Sequence, residues 1–279
     1  MSNLFNSVEY YNYIKKNCGV RGYDMDEQDE VCKRPDVDVI LHYVDKLMVS
    51  PESKFLEVGC GFGRILFEIY QRYNVKPFGI DVSPKIIEGA KERVGKICSE
   101  VKACPAEEIN YEDQTFDNVV CWGVFDLTTQ EKSIFEMARI LCIGGKLLLT
   151  GKTNRYLPND KEAYLAEHGS LRKNIPNHYT DVASLLKFTQ KLGLELLDCW
   201  CFKMRGDLSI NKPELSTTQN LKIWSKDPLI GKFTDSFYEY VLIFEKNKHT
   251  TEAFSSTEII GLKRSLTGLE LDEVNFVEG

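Results

Sequence analysis

Between Phe55 and Arg64 the chain reads F-L-E-V-G-C-G-F-G-R, and about twenty residues later, from Gly79 to Ser83, it reads G-I-D-V-S. A short apolar run that ends in three glycines at alternate positions has to turn sharply there, because nothing in G-x-G-x-G favours continuing a strand. An acidic residue closing a second apolar run completes the pattern of a nucleoside-binding crevice outside the strand ends of a parallel sheet. The glycine spacing separates the ligands such a crevice could take. A dinucleotide fingerprint is G-x-G-x-x-G, whereas here Gly63 comes one position early and Arg64 stands where the helix-packing glycine belongs. No G-K-[ST] follows, which excludes a phosphate-binding P-loop.

From Ser53 onward, short apolar runs alternate with segments of helical period. Strands are predicted at Phe55–Val58, Val75–Ile80, Ile97–Ala103, Phe116–Cys121 and Lys146–Thr150. Helices are predicted at Arg64–Tyr73, at Pro84–Val94 with Ser83 as its cap, and at Gln130–Leu141. This alternation specifies an α/β, doubly wound fold with helices on both faces of a parallel sheet. Residues 1–50 read as a helical N-terminal cap, in which Asp36 caps a helix carrying Ile40, Tyr43, Val44, Leu47 and Met48 on one face. Tyr10, Tyr11, Tyr13 and Ile14 mark a shorter amphipathic piece. Residues 51–246 form the main domain, interrupted by polar insertions at about 151–179 and 205–235. Between the insertions Thr180-Asp181 opens a helix and Leu194–Phe202 a strand, and Phe237–Phe244 is the last strand. Residues 247–279 form a polar, acidic tail, in which Ser255 and Glu258 have capping-box spacing.

No apolar run approaches the roughly eighteen residues of a membrane span, and the first residues lack a signal-peptide pattern, so a soluble cytoplasmic protein without a membrane partner is expected. The net charge of −7 argues against nucleic acid, since phosphate binding needs a basic surface. The nine cysteines, Cys60, Cys121 and Cys142 among them, are scattered in apolar context and read as buried reduced thiols. Cys199 and Cys201 would share one face of a strand, but no second ligand pair lies near them and no metal site is expected. Nothing in the sequence sets an oligomeric state.

The E-x-G-x-G-x-G form resembles motif I of the class I S-adenosylmethionine-dependent methyltransferases, and three further motifs follow in that family's order. The resemblance implies a seven-stranded, mostly parallel sheet with an antiparallel last strand, and S-adenosyl-L-methionine as cofactor. Glu57 would stand at the end of the first strand while Gly59, Cys60, Gly61 and Gly63 wrap the methionine part of the cofactor. Asp81 would take both ribose hydroxyls, a task for a carboxylate because it accepts two hydrogen bonds at once. Val82 would cover one face of the adenine. The segment C-P-A-E-E-I-N-Y-E-D-Q-T-F-D from Cys104 resembles the family's D-A-E-x-L-P-F-x-D-x-x-F-D, placing Ala106 and Glu107 beside the adenine, with Pro105 where the family usually has aspartate. Cys121 and Trp122, at the end of the fourth strand, complete the implied cofactor set. The run A-R-I-L-C-I-G-G-K-L-L-L from Ala138 resembles the family's R-V-L-K-P-G-G.

Methyl transfer from a sulfonium is an in-line displacement, so the protein must hold an acceptor opposite the methyl group and exclude water. A hydroxyl acceptor also benefits from a general base. Asp126 stands where many relatives carry histidine and is a candidate base or orienting group; its plainer role is to cap the helix near Thr128. His178, just before a helix cap at Thr180, is the second candidate base, and otherwise a surface or packing histidine. Phe125 would wall the acceptor pocket or sit in the core. The insertion 151–179 is the candidate lid, where Arg155, Tyr156, Arg172 and Tyr179 would contact substrate alongside Asn154 and His168. Its cationic excess hints at an anionic acceptor, and a solvated basic loop reads equally well. Tyr10, Tyr11 and Tyr23, with Arg21 between them, would close over the cofactor or pack on the sheet. The chain therefore reads as an enzyme that methylates a small polar metabolite at oxygen, with anionic and sugar-derived acceptors in view. The lack of an [N/D]-P-P-[Y/F] motif after the fourth strand argues against bases in nucleic acid. Nitrogen methylation, an NAD-dependent oxidoreductase and a non-catalytic S-adenosylmethionine-binding protein stay open as alternatives.

Overall fold

The computed structural model describes residues 7–8, 11–12, 36–153, 160, 163, 165, 178–208, 237–250 and 261–263. Helix α1 (Asp36–Val44) runs into a 3-10 turn at Asp45–Leu47, and the main alternation follows. Strand β1 (Phe55–Val58) leads to α2 (Arg64–Tyr73), β2 (Phe78–Asp81) to α3 (Pro84–Val94), and β3 (Glu100–Ala103) to β4 (Phe116–Cys121). A 3-10 turn at Phe125–Leu127 precedes α4 (Gln130–Ile140) and β5 (Leu141–Lys152). Then come β6 (His178–Thr180), α5 (Val182–Lys191), β7 (Leu194–Phe202), β8 (Glu239–Lys246) and β9 (Gly261–Lys263).

Seven strands form one sheet in the order β3-β2-β1-β4-β5-β8-β7. Only β8 runs against its neighbours, antiparallel to both β5 and β7. This is the expected mostly parallel sheet with an antiparallel last strand. The order turns back between β1 and β4, so the crevice outside the C-terminal ends of these two strands is the natural binding edge. Side-chain alternation divides the core between the two faces. Leu147, Leu149, Leu242 and Phe244 pack with residues of α4 and α5, while Leu148, Val241 and Ile243 pack with residues of α1 and α2. No described helix is long and apolar enough to cross a membrane. The seven described cysteines are free thiols, and Cys199 and Cys201 both point into the core that packs on α4 and α5.

Local chemistry sets the element ends. Asn74 ends α2 in the left-handed conformation (φ 54°), with its N–H on the Tyr70 carbonyl. Ser83 stands before α3 and Pro84 opens it, as predicted, but the Ser83 hydroxyl makes no cap bond. Helix α5 is capped by Asp181, which accepts from the Ala183 and Ser184 amides, and Thr180 instead closes β6. The Asp36 cap lies outside the described side chains, and the capping box at Ser255 and Glu258 lies outside the described residues. Strands β2 and β3 both start three residues late. Pro77 cannot donate to a ladder, and the Ile97 and Cys98 amides turn back onto the Val94 carbonyl. Strand β5 starts five residues early because Leu141 pairs with Phe116 across a bulge that Gly144 (φ 80°) permits.

Lys246, buried at the end of β8, donates to the carbonyls of Ala138 (2.7 Å), Leu141 (2.9 Å) and Arg139 (3.4 Å). It thereby satisfies carbonyl groups that the C-terminus of α4 leaves without intrahelical partners. Lys246→Met is expected to cost about 2–4 kcal/mol, from orphaned carbonyls offset by the removal of a buried charge. The urea midpoint measures it, and a change within experimental error would refute this role.

The remaining strands, β6 and β9, form a separate antiparallel pair, His178 opposite Lys263 and Thr180 opposite Gly261. Part of the tail thus returns to the segment that follows the first insertion. The Thr180 hydroxyl meets the buried Tyr240 hydroxyl at 2.7 Å, which fastens β6 to β8.

Candidate functional site

The glycine loop is tied to the end of β2, since the Gly59 and Cys60 amides both donate to the Ile80 carbonyl at 2.8 and 2.9 Å. All three glycines have positive φ, but a side chain would meet something different at each. A Cβ on Gly59 would lie 2.4 Å from Val124, and one on Gly63 would lie 2.5 Å from Val94 of α3. One on Gly61 meets nothing within 4 Å. Two of the glycines therefore serve the packing of the protein on itself, and only Gly61 faces open space. Gly63 supplies one residue early the close helix approach that a dinucleotide loop obtains from its third glycine.

Asp81 sits beneath this loop, its Oδ2 accepting from the Gly61 amide (3.1 Å) and its Oδ1 from the Ser83 amide (2.9 Å). A carboxylate has about four acceptor positions, so two bonds hold its plane and leave capacity for hydroxyl donors. Burial raises the Asp81 pKa, while the two amides pull against that shift. Glu57 is buried nearby and its Oε2 has no hydrogen-bond partner. Burial pushes its pKa well above the usual range; Arg64 opposes that, Asp81 adds to it, and the Leu66 amide counters it. An unpaired buried carboxylate oxygen suits a cationic ligand. Phe62 turns away from the loop to pack on Ile86, with the Tyr11 ring edge-on at 5.7 Å and the Arg93 guanidinium 5.4 Å from its centre. The N-terminal segment thus meets the loop through Tyr11, while Tyr10, Tyr13, Ile14, Arg21 and Tyr23 lie outside the described residues.

Beyond the ends of β4 and β5 lies a cavity of about 390 Å³, lined by Trp122, Asp126, Lys152, Arg205 and Glu239, and by Val39 of α1. The Trp122 ring lies 5.9 Å from that of Tyr43, which meets Trp200 edge-on at 4.9 Å, so an aromatic stack anchors this wall to α1 and β7. Asp126 is 3% exposed and pairs with Lys152, Nζ to Oδ2 at 2.9 Å. Glu239 lies directly across the ladder from Lys152, and its Oε2 accepts from the Gly206 amide at 3.3 Å. Burial raises the Glu239 pKa, Lys152 and Arg205 oppose this, and Asp126 adds to it. The cavity and the loop adjoin, because Gly59 packs on Val124 between cavity residues Gly123 and Asp126.

Residues 55–145 match the family model described as a methyltransferase domain. Over that segment the chain is similar to methyltransferase domains. It is 28% identical over 137 residues to a sterol 4-C-methyltransferase of Caenorhabditis elegans, a match covering 46% of this chain and 40% of that protein. It is 34% identical over 113 residues to phosphoethanolamine N-methyltransferase 1 of Triticum aestivum, covering 39% and 22%. The chain therefore spans less than half the length of both curated relatives. Among solved structures, a SAM-dependent methyltransferase of Thermotoga maritima, described as a possible histamine N-methyltransferase, superposes with a TM-score of 0.54 at 17% identity, covering 88% of this chain and 98% of that one.

The residues expected around the cofactor fall into distinct groups. Gly61 and Asp81 flank the open space, Glu57 lies below it, and Val82 follows Asp81 with its side chain half-buried. The Cys60 side chain is buried in a cluster with residues of α2 and α3, and that of Cys121 in the core that packs on α4 and α5. Ala106 is buried, and Glu107 spends one oxygen on the Thr129 amide at 2.8 Å, anchoring the start of α4. Trp122 lines the neighbouring cavity. On the acceptor side Asp126 is in the cavity, and its pairing with Lys152 replaces the helix-capping role. Phe125 is fully buried and belongs to the core, not to the cavity wall. Tyr179 is likewise buried, beside Ala163 and Tyr238. His178 lies on β6, where its carbonyl accepts from the Gln130 amide group, and it is not among the residues lining the cavity. Asn154, Arg155, Tyr156, His168 and Arg172 lie outside the described residues. Lys152, Arg205 and Glu239 were missed by sequence reasoning, because each is a single charge at a strand end and shares no local pattern with the others.

Proposed function

We propose that this protein transfers the methyl group of S-adenosylmethionine to an oxygen of a small polar metabolite held in the cavity beyond β4 and β5. The observation that carries the reading is the adjacency of two half-sites on one sheet edge, the open space at Gly61 and Asp81 beside the charged cavity at Asp126 and Glu239. The cofactor would supply an electrophilic methyl group on a cationic sulfur. Asp81 would take the ribose hydroxyls, Gly61 would give the backbone approach, and Glu57 would gain a cationic partner for its orphaned oxygen. Trp122 and Val39 would exclude water from the acceptor, and Asp126, held by Lys152, would orient it.

The match to the family model ends at residue 145, before Lys152, Arg205 and Glu239, so this chain's own residues would choose the acceptor. The two curated relatives, named for carbon and nitrogen methylation, support the donor half of the reading and leave the acceptor half to the cavity. Calorimetric titration against S-adenosylmethionine, S-adenosylhomocysteine and NAD tests the donor. Both sulfur ligands are expected to bind, and binding of NAD without either would overturn the reading. Transfer of a tritiated methyl group to phosphoethanolamine, histamine and a protein-free metabolite extract tests the acceptor. Asp81→Ala is expected to weaken cofactor binding at least about tenfold by removing charge-assisted acceptors, as measured in the same titration.

A further inference from the structure

The acceptor cavity holds more charge than the methyl-transfer reading has used. Four ionisable side chains from four separate segments converge there: Asp126 from the turn after β4, Lys152 from β5, Arg205 after β7, and Glu239 at the start of β8. Their formal charges cancel, which disfavours a cavity built simply to attract an anion. Lys152 is committed to Asp126 at 2.9 Å. Glu239 stands opposite Lys152 in register, so the two side chains leave the same face of the sheet at neighbouring positions. The Gly206 amide fixes the Glu239 Oε2, and a carboxylate so held still has acceptor positions for a proton.

Resting on the proposed methyl transfer, we infer that Glu239 is the general base of the reaction and that the acceptor is an O–H or N–H nucleophile that loses its proton in the step. The acceptor's lone pair forms the bond to the methyl carbon, and the sulfur–carbon bond breaks with its electron pair left on sulfur. The acceptor's proton passes to the Glu239 carboxylate and from there to solvent. Asp126, locked to Lys152, orients the acceptor. The groups facing Glu239 agree with this division. Burial and Asp126 disfavour its charged form, while Lys152, Arg205 and the Gly206 amide oppose that shift, so its proton affinity is raised above that of an ordinary glutamate, the direction a general base needs.

Two measurements on the full chain with S-adenosylhomocysteine or S-adenosylmethionine bound decide the matter. In carbon-13 spectra of protein labelled at glutamate side-chain carboxyls, the resonance that disappears in Glu239→Gln is expected to titrate above the usual glutamate range. Titration in or below that range overturns the assignment, whether or not an acceptor has been found. In tritium transfer to the metabolite extract, Glu239→Gln is expected to lose at least about a hundredfold in rate with cofactor affinity unchanged. The limb of the pH profile on which the wild-type rate rises should vanish with it, and Glu239→Asp should restore part of the rate. A Glu239→Gln rate within threefold of wild type overturns the proposal. Failure of the methyltransferase reading itself would show separately, as a wild-type protein that does not bind the sulfur ligands.

Discussion

Gly63→Ala is expected to cost the fold about 2–4 kcal/mol and Gly61→Ala no more than about 1 kcal/mol, although the two glycines stand two residues apart in one loop. Both have positive φ, so each substitution carries a backbone penalty of up to about 1 kcal/mol. The difference lies in what the new methyl group meets. At position 63 it would press on Val94, wholly buried in α3, at 2.5 Å, and at position 61 it would enter open space. Denaturant midpoints measure the contrast. A double-mutant cycle with Val94→Ala should return a coupling of about 1 kcal/mol or more if the clash is the cause. Cofactor binding should show the reverse order. Gly61→Ala puts a methyl group where the ligand's backbone contact belongs and should weaken S-adenosylhomocysteine at least about tenfold, a loss of about 1.4 kcal/mol. Folded Gly63→Ala protein should bind nearly as the wild type does. Equal stability losses, or unimpaired binding by Gly61→Ala, would show that the open space is not the ligand's seat.

The second large effect belongs to Glu57. Its folded pKa is raised above its unfolded value, so the stability it contributes is fully present below the ordinary glutamate pKa. That contribution is lost as pH rises through the folded value. Without ligand, the protein should therefore lose stability as pH rises above the ordinary glutamate range. Glu57→Gln should remove most of that slope and raise stability at pH 8 by more than about 1 kcal/mol. Asp81 and Glu239 are shifted in the same direction and leave a residual slope of the same sign. Binding a cationic cofactor would lower the Glu57 pKa, so S-adenosylmethionine should release protons on binding to the wild type and fewer on binding to Glu57→Gln. Calorimetry in buffers of different ionisation enthalpy counts them. Equal release by the two proteins would remove Glu57 from the cofactor site.

The parallel half of the sheet was legible because each piece carries its own signal. Phe55–Val58, Phe116–Cys121 and Leu194–Phe202 are apolar runs between breakers, and Arg64–Tyr73 and Pro84–Val94 open after glycine and at proline, so predicted and observed boundaries coincide. Asp81 was legible for a different reason, since it falls at a fixed distance from a glycine loop that repeats few other patterns. The strand that carries His178 was not legible, because three residues of β6 are too few to show a period and their strand partner lies more than eighty residues later in the tail. The cavity was illegible for the same physical reason. Residues 126, 152, 205 and 239 become neighbours only through β4–β5, β5–β8 and β7–β8 pairing, and a lone lysine or glutamate at a strand end looks like solvated surface until that pairing exists.

The place of β8 also has a consequence for how the molecule is made. The last described strand to join the large sheet lies inside it, between β5 and β7, where among the described residues it supplies the only ladder to β7. A chain emerging from the ribosome can pair β1 to β5 early, but the outer edge of β5 stays open for nearly ninety residues until Glu239–Lys246 arrives. During that interval β5 offers Leu147-Leu148-Leu149 as an unpaired apolar edge, the kind that recruits other chains. Nascent protein stalled or truncated before residue 239 should therefore aggregate, and its retention by chaperones should end abruptly once residue 246 has cleared the tunnel.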